Sequence, residues 1–65
     1  MRIVLNGEDR RLEAARLDRA LEELGYTGAH IATAVNGEMV PREARAGTEL
    51  EEGDRLEVLA PLPGG

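Results

Sequence analysis

The sequence predicts an α+β fold, a mixed four- to five-stranded sheet with one main helix packed across it. Three observations carry that expectation. Apolar and polar residues alternate with period two over residues 1–6, 30–36 and 55–60, the pattern of half-buried strands. Two of those segments run into Asn-Gly dipeptides, Asn6-Gly7 and Asn36-Gly37, which favour the positive-φ pair of a tight hairpin. Only residues 17–24 place apolar side chains at helical spacing.

The elements follow in chain order. Met1, Ile3 and Leu5 share one face of the first strand, with Arg2, Val4 and Asn6 on the other. After the first Asn-Gly turn, Asp9 to Glu13 returns as a short polar strand, with Leu12 as its core candidate. Leu17, Ala20, Leu21 and Leu24 then line one side of a helix of about eight residues, opposite Asp18, Arg19, Glu22 and Glu23. Gly25 stands where a helix is stopped by a left-handed residue. No Ser, Thr, Asn or Asp supplies an N-cap near Ala15-Arg16. A helix this short is unstable alone and must lie on the sheet.

Residues 26–29 read as a loop and 30–36 as a strand, with Ile31, Thr33 and Val35 facing one way and Ala32 and Ala34 the other. The second Asn-Gly turns the chain into Glu38-Met39-Val40, and Pro41 ends pairing because it has no amide donor. Residues 42–50 read as irregular and 51–54 as a turn. The last strand, 55–60, has Leu56 and Val58 on one face and Glu57 and Leu59 on the other. The order hairpin, helix, hairpin, strand lets the final strand pair parallel to the first in mid-sheet, the β-grasp arrangement. Residues 1–60 are expected to form the domain. Residues 61–65, Pro-Leu-Pro-Gly-Gly, form a flexible C-terminal tail that Pro61 and Pro63 keep out of the ladder.

Composition excludes much. The chain of 65 residues has room for one domain. It has no cysteine, hence no disulfide, thiolate metal site or cysteine nucleophile. His30 is the only histidine, so no His dyad or multi-His metal site forms within one chain. A net charge of -5 and a lone aromatic, Tyr26, argue against nucleic acid and anionic membrane as partners. No apolar run approaches a membrane span, and no signal-peptide layout opens the chain, so a cytoplasmic protein is expected. All 8 basic residues are Arg, which leaves the α-amino group as the chain's one amine. The carboxylates Glu49, Glu51, Glu52 and Asp54 lack the spacing of a calcium loop and read as a solvated turn. Arg42 is available to an acidic group of a partner or, in the preferred structural reading, to Glu38 or Glu43.

Three segments resemble the ubiquitin-like sulfur carriers, most nearly the ThiS family of thiamine biosynthesis. Ala34-Val35-Asn36-Gly37-Glu38-Met39-Val40-Pro41-Arg42 is similar to that family's strand-turn segment. Glu52-Gly53-Asp54-Arg55-Leu56-Glu57-Val58 is similar to its lead into the last strand, and Gly64-Gly65 to its terminus. The chain departs from the family at Arg16, where Thr is frequent, and at Pro63 before the glycine pair.

The resemblance implies a protein co-substrate rather than an enzyme, with no bound cofactor and no metal. It implies that an E1-like, ThiF-like adenylyltransferase spends ATP to adenylate the Gly65 carboxylate. Sulfur from a cysteine desulfurase then converts it to a thiocarboxylate, which donates sulfur to a ThiG-like thiazole synthase. The alternatives are sulfur transfer for tRNA thiolation or molybdopterin synthesis and, in a different class, a ubiquitin-like protein modifier or a small structural subunit. Gly64, Pro63 and Leu62 would thread with Gly65 into the partner. Glycines without Cβ atoms admit close protein walls around a reacting carbonyl. The outer sheet face offers Val4, Ala34, Met39 and Leu59 as a docking patch beside the tail.

Overall fold

The computed structural model describes residues 1–26 and 30–60. Residues 27–29 of the expected loop, and the tail 61–65 with Leu62, Pro63, Gly64 and Gly65, lie outside the described residues. Five strands form one sheet: β1 (Arg2–Leu5), β2 (Glu8–Arg11), β3 (Ala32–Val35), β4 (Glu38–Val40) and β5 (Arg55–Leu59). One α-helix, α1 (Leu17–Glu23), and a 3-10 helix (Arg42–Gly47) complete the elements. The strand order is β2-β1-β5-β3-β4, with β1 and β5 parallel and the other three pairs antiparallel. The last strand therefore occupies the middle of a mixed sheet, which is the β-grasp arrangement.

Both hairpins close on two residues. Asn6 and Gly7 have φ of 47° and 86°, and Asn36 and Gly37 have 51° and 86°. Two positive values in succession match the right-handed twist of the flanking strands, and Asn-Gly adopts them at little cost. The tight first turn pairs Leu5 directly with Glu8, so β2 begins one residue before the expected Asp9 and ends at Arg11. Every residue of β2 is exposed and charged, a composition that blunts a sheet edge against further pairing.

Helix α1 solves its missing N-cap through tertiary pairing. The Leu17 amide donates to Thr48 O at 2.8 Å, and the Leu50 amide to Ala15 O at 2.7 Å. A neighbouring strand-like segment thus satisfies a donor that no side chain caps. At the other end Tyr26 N donates to Leu21 O and Gly25 N to Glu22 O, with Gly25 at φ 94°. These two bonds form the Schellman stop. The helix runs seven residues, Leu24 being its C-cap.

Strand β3 is shorter than the alternation over 30–36 suggests. Its pairing ends at Ala32 because Ala32 opposes Leu59, the last residue of β5. On the other side Thr33 opposes Val40, after which Pro41 offers no amide. Ile31 O is taken instead by the Arg45 guanidinium, whose Nη2 donates to it at 2.7 Å. Residues 42–47, expected to be irregular, form the 3-10 helix that carries Arg45, 8% exposed. Ala44 N donates to Pro41 O at 2.9 Å and Thr48 N to Arg45 O at 3.2 Å, the i to i+3 pattern of such a helix.

The core lies between α1 and the inner sheet face. Ile3 and Leu5 from β1, Leu56 and Val58 from β5, and Leu17, Ala20 and Leu21 from α1 are buried, with Leu12 and Leu50 closing its ends. Burying aliphatic side chains at about 1.5–3 kcal/mol each is the main drive in a domain this small. Thr33 is also buried, its hydroxyl donating to Val40 O at 2.8 Å, so no polar atom of it is left unpaired.

Candidate docking face and the strand that leads to the C-terminus

Strand pairing determines which residues share the outer face. Val4 opposes Arg55, Ala34 opposes both Glu57 and Met39, and Ala32 opposes Leu59. Opposed residues point to the same side of a sheet. The outer face therefore carries Val4, Arg55, Glu57, Leu59, Ala32, Ala34 and Met39 together. Leu59 and Met39 are each 70% exposed, in contrast to the buried Leu56 and Val58 of the same sheet. Ala32, Ala34, Met39, Glu57 and Leu59 line one open hollow. Val4 lies in a separate hollow with Asn6, Arg55 and Glu57. The four residues expected to form one patch thus occupy one face but two hollows, because the charged outer residues of β5 stand between Val4 and Ala34.

The segment before β5 is held closely. Gly53, at φ 84°, donates its amide to Arg2 O at 2.8 Å, and Glu52 Oε1 accepts the Arg2 amide at 3.1 Å. Asp54 Oδ2 accepts the Glu51 amide at 2.8 Å, closing the turn, while its Oδ1 accepts from Asn36 Nδ2 at 3.0 Å. Glu52 and Asp54 thus act as acceptors for backbone amides, and among the described residues no group of three metal-ligating side chains is assembled. Arg42 makes no ion pair with Glu38 or Glu43; among the described residues the ion pairs join Arg2 to Asp9, Arg16 to Asp18 and Arg19 to Glu22.

Two asparagines grip β5 from opposite ends, a role that the sequence reading assigned to neither. Asn36 Oδ1 accepts the Arg55 amide at 2.9 Å, and its own backbone amide donates to Arg55 O at 2.8 Å. Asn6 Oδ1 accepts the Val58 amide at 2.9 Å, and Asn6 Nδ2 donates to Val58 O at 3.2 Å. The only sequence signal for these bonds is the choice of Asn at each turn, which Gly or Asp would also satisfy.

Ionisable groups at the two ends of α1 are shifted by their partners. The Asp18 carboxyl is held below its ordinary value by the Arg16 guanidinium, which hydrogen-bonds it, and the Arg16 pKa is raised in return. Glu23 is held below its ordinary value by the Glu13 and Ala14 amides, which donate to its carboxylate at 2.9–3.1 Å. Glu23 thereby ties α1 to the strand-exit loop before it. No described helix is long and apolar enough to cross a membrane.

Known proteins place this geometry in a family. The model of the ThiS family matches residues 3–65, a span that includes the glycine pair. The crystal structure of a thiamine biosynthesis protein (ThiS) from Geobacter metallireducens superposes with a TM-score of 0.83 at 29% identity, covering 100% of both chains. The solution structure of a thiamine biosynthesis protein from the same organism gives 0.81 at 29% identity, covering 100% of this chain and 88% of the other. A protein named thiazole synthase from Paramagnetospirillum magneticum is 36% identical over 66 residues. That match takes in 100% of this chain and 20% of the relative, so the chain spans about a fifth of the relative's length. A family model that matches residues 3–65, joined by superpositions at TM-scores of 0.83 and 0.81, leaves one assignment: this chain belongs to the ThiS family.

Proposed function

We propose that the chain is a sulfur carrier for thiamine thiazole synthesis, charged at the carboxylate of Gly65 when that residue is the terminus. The observation that carries this reading is the ThiS family match, which runs through Gly64 and Gly65. Similarity to a much longer protein named thiazole synthase supports thiazole synthase as the sulfur acceptor.

The chemistry starts from a poor acyl donor. A carboxylate oxygen leaves only as a strongly basic anion, so it is first converted to a better leaving group. The Gly65 carboxylate attacks the α-phosphorus of ATP on an E1-like, ThiF-like enzyme, and pyrophosphate leaves. A protein persulfide, loaded by a cysteine desulfurase, attacks the carbonyl carbon of the acyl adenylate and displaces AMP. A second thiol cleaves the resulting sulfur–sulfur bond, leaving a thiocarboxylate on Gly65 and a disulfide on the partner. With no cysteine of its own, the chain cannot carry this sulfur as a persulfide. The body supplies no base or nucleophile in this scheme. Its contribution is to dock, through Leu59, Met39 and Ala34 with Val4 alongside, and to deliver the tail. Small misplacements at a reacting centre cost on the order of 10²-fold in rate, which favours glycine where the partner closes around the carbonyl.

Deleting Gly65 tests the assignment of the site. The truncated chain is expected to fold with unchanged stability and to accept no sulfur from ATP, the adenylyltransferase and a persulfide donor. Sulfur acceptance by the truncated chain would place the reactive carbonyl elsewhere.

A further inference from the structure

We propose that Asn6 is a positioning residue for the C-terminal tail, its side-chain amide standing in for a missing residue of β1 and fixing where β5 releases the chain. The proposal rests on the sulfur-carrier reading for its functional consequence and on hydrogen bonding for its geometry.

Strand β1 ends at Leu5, and the chain turns away at Asn6-Gly7. Its parallel pairing with β5 therefore reaches only Leu56, through Val4 N to Asp54 O and Asn6 N to Leu56 O, both 2.9 Å. Strand β5 continues three residues further, to Leu59. Along that extension β3 pairs one side of β5, opposing Val58 with Thr33 and Leu59 with Ala32. The other side faces the turn, where no strand remains. The Val58 amide and carbonyl point there, and the Asn6 side chain meets both, accepting at 2.9 Å and donating at 3.2 Å. One primary amide thus supplies the donor and acceptor that another residue of β1 would have offered.

The location gives the clamp its consequence. Val58 is the last residue of β5 whose backbone is bound on the β1 side, and Leu59 of the docking face follows it directly. With Val58 held on the β1 side and Leu59 paired with Ala32 on the β3 side, β5 is fixed along both edges up to its end. Without the clamp, the β1-side support retreats to Leu56, and the residues between Leu56 and the tail must be ordered when a partner docks. That ordering is a cost of binding, so it raises the KM for the carrier and leaves the chemical step in the partner's site unchanged.

Asn36 provides an internal control, since it occupies the equivalent turn with nearly the same φ but holds Arg55 at the entry of β5. Glycine tolerates positive φ, so Asn6→Gly and Asn36→Gly each keep the turn and delete only the side-chain bonds. In Asn6→Gly, exchange of the Val58 amide relative to that of Leu21 is expected to quicken about tenfold. Its KM in carrier adenylation by an E1-like adenylyltransferase is expected to rise about fivefold at unchanged kcat. Asn36→Gly is expected to leave KM unchanged. An unchanged KM in Asn6→Gly, or an equal rise in both variants, overturns the proposal while leaving the carrier reading intact. Absence of any adenylate on the wild-type chain overturns both. If Asn6→Gly does not fold, Asn6→Asp decides, since it keeps the acceptor for the Val58 amide and loses the donor; it too must raise KM.

Discussion

The two Asn-Gly turns are nearly identical in backbone and different in what their side chains do. Both pair a residue at φ near 50° with glycine at 86°, and both follow a strand of four residues. Yet Asn6 reaches the exit of β5 through bonds that are partly buried, whereas Asn36 reaches its entry through bonds that are exposed. Turn geometry selects the residue type, and the neighbouring strand decides its task. The central strand is consequently held at both ends by hairpins that never pair with each other.

The comparison breaks most completely if the strand between the two clamps is undermined. Leu56 is fully buried and pairs with Leu5 and Val35, the residues before the two turns, and Leu56→Ala is expected to cost about 2–5 kcal/mol. Amide exchange should then quicken at Arg55 and Val58 together; loss at one end alone would show that β5 does not behave as one unit. Removing single clamps sharpens the contrast. Asn6→Gly is expected to lower stability by about 1–2 kcal/mol and Asn36→Gly by less than about 1 kcal/mol, because water replaces the exposed bonds more readily. Chemical denaturation of the two variants side by side measures the difference, and a larger loss in Asn36→Gly would reverse the ranking.

Smaller effects separate docking from folding. Leu59→Arg changes a 70%-exposed residue on the outer face, so stability should stay within about 0.5 kcal/mol of wild type. Slower adenylation is expected in that variant; normal kinetics would remove Leu59 from the interface.

The smallest effect lies away from β5, at Glu23. Its carboxyl titrates below the ordinary 4.5 because the Glu13 and Ala14 amides bond its charged form. A lowered folded-state pKa contributes stability that is complete above the unfolded value and lost as pH falls through the folded one. Glu23→Gln should therefore lower the denaturation midpoint slightly at pH 7, and the gap from wild type should close as the pH drops below 4.5. A gap that persists at low pH would mean that the Glu23 charge is not what secures the loop.

Most of the fold was legible in the sequence, since it is written in local patterns. Alternation located β1, β3 and β5, the Asn-Gly pairs located both turns, and Gly25 located the helix stop. What escaped was non-local. The 3-10 helix at 42–47 has no apolar periodicity, and its burial of Arg45 follows from a bond to Ile31 O that only the folded chain reveals. The start of α1 depends on Thr48, and the grip of Asn6 on Val58 spans 52 residues of sequence. The residues expected to dock share one face, as their alternation implies, but the charged residues of β5 that separate Val4 from Ala34, Met39 and Leu59 stand there because of the strand order. The assignment of Gly65 rests on resemblance and family membership, because residues 61–65 lie outside the described residues.

The central claim, that sulfur is carried on the carbonyl of Gly65, is tested most directly by intact-mass spectrometry. The 65-residue chain would be incubated with ATP, an E1-like adenylyltransferase, a cysteine desulfurase and cysteine. The account predicts free protein heavier by one oxygen-to-sulfur exchange, with fragmentation placing the change at residue 65. An unmodified mass with partners shown to be competent, or conjugates through lysines of other proteins in its place, would contradict it.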